Sequence, residues 1–226
     1  MSITALLPMK GHSERVSNKN IRLFNGEPLF YLVAKTLQES SLVKSIIINT
    51  DSKKIADDAM GNFSKVRVLE RPLALCGDSI PMNSIIAHDL SVCDGEYFLQ
   101  THSTNPLLKV ETIDRAITLF FSSLDQYDSL FSVTRLRTRL YWESGKPVNH
   151  NPQELLRTQD LPPLFEENSN VYIFSKESFA AAGNNRIGRK PQMFVMDKLE
   201  ALDIDEEDDF ILAETLYRTQ GWVKEG

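Results

Sequence analysis

Short β-branched runs that alternate with amphipathic helical stretches limit this chain more than any other feature. Ile3-Thr4-Ala5-Leu6-Leu7 reads as a buried strand stopped by Pro8. Pro28 then opens a helix whose Leu29, Leu32, Val33, Thr36 and Leu37 share one face. Ser45-Ile46-Ile47-Ile48-Asn49 is the next strand, and Asp51 or Ser52 is placed to cap a helix beginning near Lys53. The pattern continues with a strand from Lys65 to Leu69, a helix from Met82 to Val92 and a strand from Tyr97 to Gln100. Val110, Ile113, Ile117, Phe120, Phe121 and Leu124 mark a periodic helix before a strand from Ser129 to Val133. Strands apolar on both sides, spaced by helices, predict a three-layer α/β/α domain of the Rossmann-like type with a mainly parallel sheet.

The rhythm breaks between about 135 and 165. Arg135 to Trp142 is basic and aromatic, and the stretch after it is interrupted by Pro147, Pro152, Pro162 and Pro163. This excursion reads either as an arm that packs on a second subunit or as a long surface loop. Strands return at Asn170 to Phe174 and Met193 to Met196, and Asp208 to Thr219 forms the last helix. The 226 residues form one domain with that excursion inserted in it.

Charge and cysteine usage narrow the function. A net charge of −6 argues against nucleic acid as a partner, which calls for a basic face. No apolar run approaches the roughly 18 to 20 residues of a membrane span, and Ile3 to Leu7 is too short for a secretory segment, so a cytoplasmic protein is expected. Cys76 and Cys93, without a Cys-x-x-Cys or a histidine pair, read as free thiols.

Two clusters carry the candidate chemistry. Residues 1–25 hold Lys10, Arg15, Lys19 and Arg22 against Glu14, a balance of +3. The loop from Lys10 to Asn20 leaves the carboxyl end of the first strand, where doubly wound sheets bind ligands. Its glycine, three cations and amide or hydroxyl donors suit a polyphosphate, although a solvated polar turn has the same composition. It is neither a P-loop nor a dinucleotide fingerprint. Residues 197–214 hold nine acids against Lys198, a balance of −8. In extended backbone Asp203 and Asp205 project to one side with Ile204 turned to the core, and two hard carboxylates suit Mg²⁺. The Glu206-Glu207-Asp208-Asp209 run has a simpler role in offsetting a helix dipole.

Read together, these residues resemble the acylneuraminate (CMP-sialic acid) cytidylyltransferase family. The similarity runs in order through Leu7-Pro8-Met9-Lys10-Gly11-His12-Ser13, Asn18-Lys19-Asn20-Ile21-Arg22 and Asn25-Gly26-Glu27-Pro28-Leu29. It continues through Asn49-Thr50-Asp51, Glu70-Arg71-Pro72, Thr104-Asn105-Pro106-Leu107 and Asp203-Ile204-Asp205-Glu206-Glu207-Asp208. The resemblance implies CTP as donor, an acidic nine-carbon sugar as acceptor, Mg²⁺ dependence and a homodimer whose 135–165 arm reaches the neighbour's sugar site. It implies that Lys10, Gly11, Ser13, Lys19 and Asn20 hold the phosphates, with Arg71 and Asn83 near the nucleotide. His102 and Thr104 fall at the sugar site, and Arg157 matches an arginine for the sugar carboxylate. Asp203 and Asp205 match the metal pair, and Lys10, Lys19 and Asp205 are the expected catalytic groups. Three departures stand out. Lys10 replaces an arginine and so lacks its bidentate fork. The glycine and proline usual near Arg15 and Ser17 are missing, and His102 replaces a glutamine.

Alternatives of the same chemistry are enzymes for Kdo, legionaminic acid or pseudaminic acid. A glycosyltransferase also uses an Asp-x-Asp pair, but places it mid-chain. A non-catalytic nucleotide-binding protein on this fold is the third reading.

Overall fold

The computed structural model describes residues 2–13 and 15–219, and within them the alternation resolves into one seven-stranded sheet covered on both faces. In chain order the elements are β1 (Ile3–Leu6), β2 (Leu23–Phe24), β3 (Glu27–Pro28), α1 (Leu29–Glu39), β4 (Val43–Thr50), α2 (Lys53–Asn62), β5 (Val66–Glu70) and α3 (Met82–Val92). They continue with β6 (Tyr97–Gln100), α4 (Val110–Ser122), β7 (Ser129–Leu136), β8 (Leu164–Ser175), α5 (Lys176–Ala181), β9 (Pro191–Met196) and α6 (Glu207–Thr219). The sheet order is β5-β4-β1-β6-β8-β7-β9. Every neighbouring pair is parallel except those that β8 makes with β6 and β7.

Alternate residues of the central strands feed two different cores. Ala5, Ile46, Ile48, Leu99 and Ile173 pack with apolar residues of α1, α2 and α4 on one face. Leu6, Ile47, Phe98, Tyr172 and Phe174 pack with α3 and α5 on the other. Burial on both faces is why these strands lack the polar alternation of a half-exposed sheet.

The expected elements are present, with shifted ends. Ser52 caps α2 by accepting from Ile55 N at 3.3 Å, which leaves Asp51 for another partner. The last predicted residue of the α4 face, Leu124, lies beyond the helix and is partly exposed. The larger difference concerns the excursion. Strands β7 and β8 run into it from both sides, pairing antiparallel from Val133 with Glu167 to Leu136 with Leu164. β9 still covers Val133 and Thr134, so the excursion's base is a two-stranded ribbon of Arg135–Leu136 with Leu164–Phe165, and residues 137–163 form its outer part. The Glu166-Glu167-Asn168 half of β8 carries few apolar residues, so polarity hid a strand that pairs through its backbone.

Candidate active site

A third apolar cluster, outside the two main cores, brings the distant halves of the site together. It contains Val16 from the basic loop, Phe24, Leu29 and Leu32 from the first hairpin and helix, and Ile204, Phe210 and Ala213 from the acidic segment and α6. Val16 and Ile204 are both buried, and such burial stabilises by roughly 1.5–3 kcal/mol per side chain. Polar ties reinforce the contact. Arg22 makes a two-pronged pair with Glu207 at 2.6 Å and covers the Phe210 ring at 4.0 Å. Asp209 accepts from the backbone N–H groups of Asp205 and Glu206, so this acid of the run closes the helix start.

Beside this contact, on the side of the basic loop, lies a cleft of about 420 Å³. Lys10, Ser13, Lys19, Asn20, Arg71, His102 and Thr104 line it, as do Arg15 and Asp78. Lys19 is only 8% exposed; its Nζ donates to the Ile204 carbonyl at 2.5 Å and lies 3.8 Å from Asp205 Oδ1. Burial lowers the Lys19 pKa, and Asp205 and Asp203 oppose that fall. Arg15 donates to Asp205 at 2.6 Å, and Lys10 to Asp78 at 2.5 Å. Four cationic side chains thus stand around one cavity, Arg71 included.

Several expected ligand groups are already engaged with the protein. Asn20 donates to the Lys10 carbonyl at 2.8 Å and accepts from the Ser103 hydroxyl at 2.7 Å, which fixes the loop rather than leaving the amide free. Gly11 does meet a close approach, but from within the fold. Its N–H donates to Asp51 at 2.6 Å, and a Cβ there would stand 2.8 Å from Ser52 Cβ. Arg71 is buried and donates to the Asn49 side chain and to the Asn49 and Met9 carbonyls. It ties β4 and β5 to the cleft floor. Asn83, in the first turn of α3, keeps a buried Oδ1 without a partner beside Met82 of the lining. Arg157 does not line this chain's cleft. It pairs with Asp160 at 2.7 Å on the exposed excursion.

Ile204, between Asp203 and Asp205, is fully buried. The Ile204 N–H donates to the Thr104 carbonyl at 2.9 Å and pins the segment to the loop after β6. Burial raises the Asp203 pKa, the Thr104 hydroxyl opposes this, and the Asp205 charge adds to it. Asp203 Oδ1 is buried without a hydrogen-bond partner. A buried, orphaned carboxylate oxygen beside a second carboxylate fits a hard divalent cation. No group of three or more acids, histidines or cysteines converges among the described residues, so the rest of such a shell falls to phosphate and water.

One residue beneath the cleft had no signal in the sequence. Asp89 of α3 is fully buried, accepts from Asn49 Nδ2 at 2.6 Å and leaves Oδ2 unpartnered. Asn49 in turn holds Arg71, so a carboxyl, an amide and a guanidinium form one buried line. Burial raises the Asp89 pKa above its unfolded value. The stability linked to its proton is therefore fully present below the unfolded pKa and is lost as pH rises through the folded one. Asp89→Asn is expected to remove this component. Urea denaturation from about pH 4 to pH 8 should show the variant gaining on the wild type as pH rises; parallel profiles would refute the assignment.

Cys76 and Cys93 are free thiols, and no helix among the described residues is long and apolar enough to cross a membrane.

The chain has relatives along nearly its whole length. The chain is 28% identical to post-translational flagellin modification protein B of Campylobacter coli, over 92% of each chain. It is 26% identical to the N-acylneuraminate cytidylyltransferase of Escherichia coli, over 98% of this chain and 54% of that one. A solved CMP:2-keto-3-deoxy-manno-octonic acid synthetase complexed with CTP shares the fold, with a TM-score of 0.69 at 7% identity, covering 97% of this chain and 100% of that one. The cytidylyltransferase family profile matches residues 4–224, nearly the whole chain, and the chain belongs to that family.

Proposed function

We propose that this chain transfers CMP from CTP to the anomeric hydroxyl of a sialic-acid-like nine-carbon 2-keto sugar acid and releases pyrophosphate. The observation that carries this reading is the meeting of Lys19 with the Asp203–Asp205 pair at one cleft edge, with Lys10 and Arg15 beside them. The anomeric oxygen forms a bond to the α-phosphorus in line with the breaking α–β bond, and its proton is lost to solvent. Positioning and charge neutralisation dominate such a transfer. Lys10 and Lys19 stabilise charge growing on the leaving pyrophosphate, and Ser13 and Arg15 complete the cradle around it. The partnerless Oδ1 of Asn83 offers an acceptor to the nucleotide. Thr104 and His102 border the sugar. Asp203 and Asp205 would hold a magnesium ion, which would supply Lewis-acid stabilisation of the phosphoryl oxygens.

The excursion at 135–165 serves, in this reading, as the arm of a cytoplasmic homodimer that carries Arg157 to the partner's sugar carboxylate. Trp142 at 62% exposure and Leu155 at 94% are large apolar groups that a second subunit would cover.

Pyrophosphate release from CTP and Mg²⁺ with sialic, legionaminic and pseudaminic acids and Kdo tests the reaction. Release is expected with the nine-carbon acids above Kdo. No release with any of the four would overturn the proposal.

A further inference from the structure

Behind the cleft wall runs a polar chain that neither the phosphate cradle nor the carboxylate pair uses. Arg186, on the loop between α5 and β9, stacks over Tyr172 with its guanidinium carbon 3.7 Å from the ring centre. Its Nη1 donates to Gln100 Oε1 at 2.6 Å. A guanidinium has donors only, so this contact decides which end of the Gln100 amide is oxygen. The amide nitrogen then donates to the Thr101 carbonyl at 2.8 Å and faces His102 Nε2 at 3.2 Å. A donor facing Nε2 requires that nitrogen to accept, which leaves the ring proton on Nδ1. An imidazolium would set one N–H against another.

We propose that Gln100 and Arg186 are positioning residues that hold His102 as the neutral Nδ1–H tautomer, so that the cleft offers one uncharged donor to a hydroxyl or amide carbonyl oxygen of the sugar. The sugar half of this rests on the reaction proposed above; the tautomer does not. Burial, with the charges of Arg186 and Lys19 adding to it, pushes the His102 pKa down to about 4, in keeping with a ring that stays neutral. Among the described residues those two cations are the charged groups that act on the ring, one from the α5–β9 loop and one from the turn at Lys19–Ile21. Glu167 and Tyr172 of β8 act on Arg186. A neutral donor suits an uncharged oxygen, whereas a carboxylate gains most from a cation. The site therefore discriminates at this point by hydrogen bonding, not by charge.

Nitrogen-15 labelling of the histidines and two-dimensional NMR read the tautomer directly from the two ring nitrogens. The chain has four histidines, and a His102→Gln variant assigns the signal. The wild type is expected to show the Nδ1–H form from about pH 8 to about pH 5, below the ordinary histidine midpoint. Gln100→Glu puts an acceptor against Nε2, so the ring should take its proton there and titrate at higher pH than in the wild type. The same variant should raise the KM for the sugar by roughly tenfold, the worth of one hydrogen bond, with the KM for CTP unmoved. An Nε2–H or doubly protonated ring in the wild type at neutral pH overturns the proposal without any variant. An unmoved sugar KM overturns the assignment of the donor to the sugar. A wild type that releases no pyrophosphate with any sugar acid overturns the reaction instead, and the NMR result still decides the network.

Discussion

Lys19→Ala is expected to lower pyrophosphate release by about 10²–10³ while the chain remains folded. The ammonium sits where the basic loop and the acidic segment touch, with one hydrogen bond to the Ile204 carbonyl and Asp205 at 3.8 Å. In a buried setting of this kind a fixed cation acts on developing phosphate charge far more strongly than on the surface. Truncation leaves the Ile204 carbonyl unpaired, which costs about 1–3 kcal/mol. Removing a buried ammonium whose pKa burial has lowered returns part of that cost. A domain stable by about 5–15 kcal/mol survives the difference. Far-ultraviolet circular dichroism and thermal unfolding check the fold, and a pyrophosphate assay checks turnover. Near-normal turnover in a folded variant would remove Lys19 from the chemistry.

Asp205→Asn should have an effect of the same order on turnover, roughly 10²–10³, through a different route. The carboxylate is half-exposed and its pair with exposed Arg15 is worth about 0–1 kcal/mol to stability, while buried Lys19 keeps its hydrogen bond to the Ile204 carbonyl, so the variant should stay folded. What changes is the response to magnesium. With one of two hard donors lost, the concentration needed for half-maximal rate should rise well above that of the wild type. A magnesium titration of pyrophosphate release reads this. Wild-type rate at wild-type magnesium demand would mean that the pair binds no catalytic ion.

Much of the fold and the site was legible in the residues because it depends on local pattern. Ile46-Ile47-Ile48 could only be a strand buried on both faces, and Ile204 between two acids marked an anchored segment. Lys19 and Asp205, both expected catalytic groups, lie 3.8 Å apart. The hidden parts depend on contacts between remote positions. Val16 is one apolar residue in a polar loop, and only its packing against Ile204 shows why the loop sits where it does. Gln100 and Arg186 are 86 positions apart, and Asn49 and Asp89 are 40 apart, so no short window of sequence contains either pair. Gly11 was legible as a close approach, but its neighbour proved to be Ser52. The polar half of β8 was missed because a ribbon paired through its backbone needs no apolar period.

The packing of Val16 on Ile204 also bears on how the molecule is made. A ribosome delivers the basic loop long before the acidic segment it packs against, since the Lys19–Ile204 hydrogen bond spans 185 positions. The parallel half of the sheet can pair while that loop still waits, because β5, β4, β1 and β6 are neighbours in space and all end before residue 101. Emergence of the nascent segment that carries Ile204 is then the moment at which the proposed site can first close, and such long-range closure is slow.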